Sequence, residues 1–537
     1  MSIFTLIAVG ILLLFPILGL WFELRVEALQ ELLEMASFYR SIQVTLISGL
    51  GGALVSLLIG IPFARQFAIF DWKGKRWQRL MLLMPYLIPN FVLAIAYVLV
   101  WNPATGLMNS WLPFPGGLYG LAGMIFLFGI AHSPVVFLFL EEKFRRLDPS
   151  WREAARLSGA GSLRTFTKIE LPVLLPSILS SFSLCFALNL SAFAIPAWIG
   201  APAKAYPLTY KIYQSVQMGS EGLATAAVLS AILFLFTIPS LVLNSWIQRK
   251  EKKYTLVSGK ASRINSTAPS TRSQIFFQIG FWLIQSIGWI LPVAFLFVST
   301  LVKPGCLQMG GWSCLPDASL SAYHYVIFDL AETQAALQGS LLYGSLSALI
   351  ILFLAVFLMA MFGRNPWILR WADTLYSLPV ATPGAVIALG LIVCASGKYG
   401  INLYNTAWIA VAAYVIKHFH MAFQSLKTGF SNISVSLVEA AKLCGAGPTQ
   451  TWRRVMIPML QPEILGGFFL VMVPILGELT MSVFLASPSF RTIGMVMFEL
   501  QDYADQNSAA AMSILLILLV LAGNGMARIL SKGKLGY

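Results

Sequence analysis

Apolar runs of about 20 residues recur along this chain, and that recurrence constrains its fold more than any other feature. A hydrocarbon core about 30 Å thick takes a helix of about 20 residues to cross, because each residue advances about 1.5 Å. Stretches of this kind lie near 3–20, 42–63, 81–101, 120–140, 172–195 and 222–247, then near 277–301, 337–362, 375–396, 404–424, 460–484 and 508–530. No water reaches that depth to satisfy a backbone, so each stretch is expected to be a helix. Composition agrees: 58% of the residues are hydrophobic and 11% are charged, a balance for which lipid is the solvent. The expected fold class is therefore an all-α polytopic membrane protein with about 12 transmembrane helices. The first run has no basic segment ahead of it and no small-x-small cleavage site behind it, so it reads as a retained span.

The formal net charge is +14, but no basic-aromatic module for nucleic acid accompanies it. The charge is distributed between spans instead. With a cytoplasmic N-terminus, the inside segments hold 28 of the 36 Lys and Arg residues and the outside loops hold seven. That is the bias expected of a chain with both termini inside. Glu23, Glu27, Glu31 and Glu34 recur at helical spacing beyond the first span, most simply as a solvated helix face.

The chain repeats itself. Glu153-Ala154-Ala155 returns as Glu439-Ala440-Ala441, a spacing of 286, and Pro85 and Pro89 return as Pro379 and Pro383, a spacing of 294. Six spans per copy give both copies the same orientation, which makes this a parallel repeat with a pathway expected at the interface. The stretch 249–275 is basic, then rich in Ser and Thr, and lacks an apolar period, as a flexible linker would. The expected organisation is a first repeat over 1–248, a cytoplasmic linker over 249–275 and a second repeat over 276–537.

After Glu153-Ala154-Ala155 come three residues, Gly159, nine residues, then Ile169-Glu170-Leu171-Pro172. After Glu439-Ala440-Ala441 come three residues, Gly445, nine residues, then Val455-Met456-Ile457-Pro458. The stretch Trp151–Ser158 has helix-forming composition, the glycine permits a tight turn, and Pro172 suits the start of a new helix. In these two loops the chain resembles the permease subunits of binding-protein-dependent ABC importers, whose signature this pattern is. The resemblance implies a type I ABC importer permease fold in a bacterial inner membrane. It also implies that each loop forms a coupling helix seated on an ATPase, with Glu153, Ala154, Ala155, Gly159, Glu439, Ala440, Ala441 and Gly445 as contact and turn residues.

Neither Ser258-Gly259-Lys260-Ala261 nor Ser396-Gly397-Lys398-Tyr399 meets the phosphate-binding GxxxxGK[ST] pattern. The chain is thus expected not to be an enzyme and to bind no cofactor itself. ATP and Mg would be used by a separate ATPase, present in two copies because both coupling loops lie in one chain. A periplasmic substrate-binding protein is the other implied partner. The segments Asn189–Gly200, Glu478–Val483 and Phe498–Tyr503 look most like the ferric-iron permease group, with thiamine, aminoethylphosphonate and polyamine permeases as the alternatives.

Ionisable groups inside a membrane are costly and mark function by default. Here they are His132, Lys417, His418, His420 and Glu478, with Asn189 as a polar companion. His132 and His418 are also 286 apart. Glu478, a hard oxygen donor, suits a ferric ion best, and with Asn189, His132 and His418 it forms the candidate translocation pathway, without a firm metal site. The bland reading of each histidine is an interhelical hydrogen bond, and that of Lys417 is snorkelling to the cytoplasmic interface. Cys185, Cys394 and Cys444 read as isolated small apolar residues, while Cys306 and Cys314 share an outside loop and are placed to form a disulfide. A secondary transporter with six-plus-six repeats would leave the doubled loop unexplained, and no catalytic spacing supports a membrane enzyme.

Overall fold

The computed structural model describes residues 2–106, 108–109, 111–254, 271–303, 318–397, 399–502 and 506–531. Helices dominate it. Eight are long and apolar enough to cross a membrane, and two bent helix pairs bring the number to ten. The other two expected positions are also helical, Ser2–Gly19 and Ala407–Ser431. The latter falls short on apolarity because Lys417, His418 and His420 interrupt it. Twelve spans are compatible with this arrangement; length and apolarity by themselves support ten.

The two bends correct the expectation of straight spans at 81–101 and 375–396. Lys75–Leu87 turns by 94° into Asn90–Trp101, and Pro366–Val380 turns by 93° into Gly384–Cys394. Proline explains both. Ile88 and Thr382 precede Pro89 and Pro383 and are forced out of helical conformation, with ψ of 124° and 131°. Each proline then sits ahead of a new helix, where its missing N–H costs nothing. The second limb of each pair is buried along nearly its whole length, so both bends happen inside the protein, where irregular backbone is tolerated.

Pro172 and Pro458 do not start helices, contrary to expectation. The helices run Ser162–Ser191 and Pro448–Leu476, and each contains one wide turn, Phe166–Glu170 and Trp452–Met456. The N–H groups of Leu171 and Ile457 reach back to the carbonyls of Phe166 and Trp452. A π-type turn of this kind lets a helix pass a proline without breaking.

Each half lends its first helix to the other. Ser2–Gly19 lies against the second half so closely that a Cβ on Gly390 would stand 2.0 Å from the Pro16 carbonyl oxygen. Reciprocally, Arg272–Leu301 packs on the first half through Phe277 and Phe281, whose rings meet Phe63 at 5.8 and 5.6 Å. Tyr97 Oη also donates to the Ile287 carbonyl at 2.7 Å.

Equivalent helices are pinned in equivalent ways. The backbone N–H of Leu208 is received by Thr45 Oγ1 at 2.8 Å, and that of Ile493 by Ser340 Oγ at 2.9 Å. Arg79 pairs with Glu141 at 3.0 Å in the first half, and Asp373 pairs with Lys427 at the matching positions of the second, with polarity reversed. Helix Leu223–Tyr254 continues into the stretch read as linker, and the remainder to residue 270 lies outside the described residues. So do Cys306 and Cys314. Of the other cysteines, Cys185 and Cys394 are buried as expected, whereas Cys444 is exposed.

Candidate functional site

The repeated loop folds the same way twice. A nine-residue helix comes first, Pro149–Leu157 in one half and Val435–Leu443 in the other. Asp148 caps the first by accepting the Ser150 N–H at 2.9 Å, and Ser434 caps the second by accepting the Ser436 N–H at 3.3 Å. That bond holds the Asp148 carboxylate below its usual pKa. The cap is therefore complete at neutral pH and is lost only on acidification through that depressed value.

Both helices end in a glycine-centred stop. Ala160 N–H returns to the Ala155 carbonyl at 2.9 Å and Gly159 N–H to Arg156 at 3.0 Å. In the second half Ala446 returns to Ala441 at 3.0 Å and Gly445 to Lys442 at 2.9 Å. This double closure requires a left-handed residue, and Gly159 and Gly445 supply it with φ of 74° and 80°. A Cβ at either position would meet nothing within 4 Å. Backbone conformation, rather than crowding, is what demands glycine there.

The alanines and glutamates divide between two faces. Ala155 is buried and Ala441 half-buried, so these turn toward the protein. Glu153, Ala154, Glu439 and Ala440 are exposed, and neither glutamate has a hydrogen-bond partner among the described residues. One feature escaped the sequence reading. Leu157 and Leu443, at matching positions ahead of the stop, are 90% and 89% exposed. The two leucines are held in the open by the same local geometry, one on each loop. Their recurrence directly after Glu-Ala-Ala-x was the available signal. A second omission was Glu170, which is buried between Arg65 and Arg152.

The candidate pathway residues form two separate groups. His132 Nδ1 lies 2.7 Å from Asn189 Oδ1, and Asn189 Nδ2 donates to the Gly49 carbonyl at 2.9 Å. These bonds tie three helices of the first half together in its interior. His418 has no such partner, since the position 286 residues after Asn189 is Ile475. Its Nε2 is buried without a hydrogen bond among the described residues.

Glu478 follows the end of helix Ile457–Leu476 and caps the next short helix, Thr480–Phe484, by accepting the Met481 N–H at 2.8 Å. The adjoining Gly477 faces the other half: a Cβ there would sit 3.3 Å from Pro89 Cγ, at the first bend. Lys417 does not snorkel. Its ammonium donates to the carbonyls of Val380 and Thr382, at 2.9 and 2.5 Å, which Pro383 leaves without helical partners. Ala131 and Ala192 occupy the first-half positions matching Lys417 and Glu478, so neither of these ionisable residues has a counterpart in the first half.

Beyond these turns the halves meet through aromatic rings. Phe193 contacts Phe484 and Phe498, both at 5.8 Å between centroids. Trp198 meets Phe498 at 5.6 Å and Tyr213 meets Phe484 at 5.8 Å. Trp198 and Phe484 are repeat equivalents, so the cluster is built around the pseudo-symmetry between the halves.

The model of the family described as "Binding-protein-dependent transport system inner membrane component" matches residues 56–253 and again 351–535. An Fe(3+)-transport system permease protein, FbpB 2, of Haemophilus influenzae is 26% identical over 459 residues, covering 84% of this chain and 81% of its own. A ferric transport system permease protein, FbpB, of Actinobacillus pleuropneumoniae is 22% identical over 489 residues, covering 89% of this chain and 69% of its own. A 2-aminoethylphosphonate transport system permease protein, PhnV, of Salmonella paratyphi A is 26% identical over 236 residues, 43% of this chain and 85% of its own.

Proposed function

The chain belongs to the family of binding-protein-dependent transport system inner membrane components, and from that premise we propose that it moves ferric iron, delivered by a periplasmic substrate-binding protein, through the inner membrane at the expense of ATP. It is a permease and not an enzyme: hydrolysis belongs to a separate subunit. Two copies of that ATPase would each seat one of the loops carrying Glu153 and Glu439. The observation that carries this reading is the doubled loop, with the same caps, the same stop and the same exposed leucine in each half.

In this reading Leu157 and Leu443 fill apolar hollows on the ATPases while Glu153 and Glu439 orient the helices beside them. Closure of the ATPases then moves the helices that follow each loop. Both loops and both termini would be cytoplasmic, as the distribution of Lys and Arg requires. The aromatic seam of Phe193, Trp198, Tyr213, Phe484 and Phe498 would then close the outer side of the pathway. Glu478 stands at the inner end of that seam as a transient carboxylate contact for the cargo, while His132 and Asn189 hold the first half's helices in register. The repeats are assigned to 1–248 and 276–537, joined by a cytoplasmic linker over 249–275.

Ferric iron rests on the relatives named for it, which align across most of this chain. Reconstitution in vesicles with the cognate ATPase and binding proteins decides the matter. ATP-dependent uptake of ferric iron exceeding that of 2-aminoethylphosphonate, thiamine and polyamine is the expected result. No iron uptake by a system competent for another of these cargoes would overturn the assignment. Reversing charge with Glu153→Lys and Glu439→Lys together should abolish ATPase co-purification or coupled uptake; retention of both would remove the role given to those glutamates.

A further inference from the structure

The two coupling loops share a backbone but are fastened to the protein by different chemistry. In the first half Glu170, 1% exposed, receives one arginine on each carboxylate oxygen. Arg65 Nε approaches Oε2 at 2.5 Å and Arg152 Nε approaches Oε1 at 2.6 Å. Arg65 stands near the end of the long helix Ala36–Ile69, Arg152 on the short loop helix, and Glu170 in the wide turn of the helix that follows. Arg152 also donates to the Phe144 carbonyl at 3.3 Å, and the Arg65 guanidinium lies 5.5 Å from the centre of the Phe166 ring. Three segments are thus joined through one buried carboxylate.

The second half has no charge at these places. Val438 replaces Arg152 and Met456 replaces Glu170, 286 residues on, and both are buried. Ala360 stands at the position of Arg65 by the 295-residue spacing that relates Thr45 to Ser340. Trp452 stacks on Phe430 at 6.1 Å, and these two are the counterparts of Phe166 and Phe144. Apolar packing holds the second loop where ions hold the first.

We propose that Glu170 is a positioning residue that locks the first coupling helix to helix Ala36–Ile69, so that coupling through the first loop depends on a buried ionic clamp while coupling through the second does not. The proposal rests on reading these loops as ATPase contacts. A buried pair tolerates replacement of all its members by apolar groups far better than removal of one, because removal leaves the remaining charges desolvated and unpaired. Glu170→Gln strands Arg65 and Arg152. The combination Arg65→Ala, Arg152→Val and Glu170→Met instead copies the second half, whose geometry shows that apolar contacts suffice.

Hydrogen–deuterium exchange and uptake per ATP hydrolysed, both measured on the assembled importer, test this. In Glu170→Gln, exchange should rise across 149–160 and stay unchanged across 435–446, while uptake per ATP falls about tenfold. Glu170→Asp should recover part of both, and the triple apolar variant most of both. Unchanged exchange in Glu170→Gln overturns the clamp, as does an equal rise in both segments. A rise confined to 149–160 with uptake per ATP unaltered would leave the clamp standing and defeat the coupling role of the loop instead.

Discussion

Gly159 and Gly445 carry a demand that no neighbouring atom explains. Both are left-handed, at φ of 74° and 80°, in open space. An L side chain in that conformation costs about 1–2 kcal/mol through its own Cβ, and asparagine pays less than alanine. Gly159→Ala should therefore weaken ATPase association about tenfold through distortion of the helix stop. Gly159→Asn should weaken it less. Titration of ATPase into the purified permease measures both, and equal affinities for wild type and Gly159→Ala would show that the stop does not set the contact. Which residue had to be glycine was legible from the repeated spacing. That Leu157 and Leu443 stand almost fully in the open was not, because the exposure of a leucine depends on whether a distant segment covers it.

At the scale of elements, proline positions decide the bends and a lysine repairs one of them. Pro89 and Pro383 were visible as repeat equivalents, yet a proline inside an apolar run is compatible with a kink, a wide turn or a full reversal. The structure uses two of these options: sharp kinks of 94° and 93° at Pro89 and Pro383, and wide turns ahead of Pro172 and Pro458. What separates them is whether the residues beyond the proline find a buried slot, which is a tertiary property. At the second bend the carbonyls of Val380 and Thr382 take their donors from Lys417. Lys417→Met removes both bonds and takes that donor from the carbonyls of Val380 and Thr382, at a cost of roughly 1–3 kcal/mol. Melting in detergent should fall accordingly, and Lys417→Arg, which keeps a donor there, should recover most of the loss. A Lys417→Met protein as stable as wild type would mean that these carbonyls find other donors.

For the whole molecule, the repeat is preserved in geometry more than in chemistry. The first repeated loop is held by ions and the second by apolar contacts. The bridge between matching helices runs Arg79 to Glu141 in one half and Lys427 to Asp373 in the other. Such an exchange of polarity predicts that the pair, and not either residue, is the unit that the fold needs. Asp373→Arg by itself places like charges together and should destabilise the protein by about 1 kcal/mol. Adding Lys427→Glu reproduces the first half's polarity and should restore stability, as thermal denaturation in detergent would register. Failure of the double variant to recover would show that the bridge answers to its surroundings rather than to its partner.

The sequence by itself determined the solvent, the helical class, the repeat and the family, because each follows from local chemistry. Twenty apolar residues call for lipid wherever they pack, and a Glu-Ala-Ala-x3-Gly spacing produces the same helix stop in either half. Only the tertiary structure decided which runs bend sharply at proline, that each first helix crosses to the opposite half, and that His132 finds Asn189 while His418 finds no equivalent. It also decided that Glu170 is a buried junction rather than one more charge at a membrane surface. Burial and pairing depend on what distant segments bring alongside, so a residue such as Glu170 looks the same in sequence whether it faces water or two arginines.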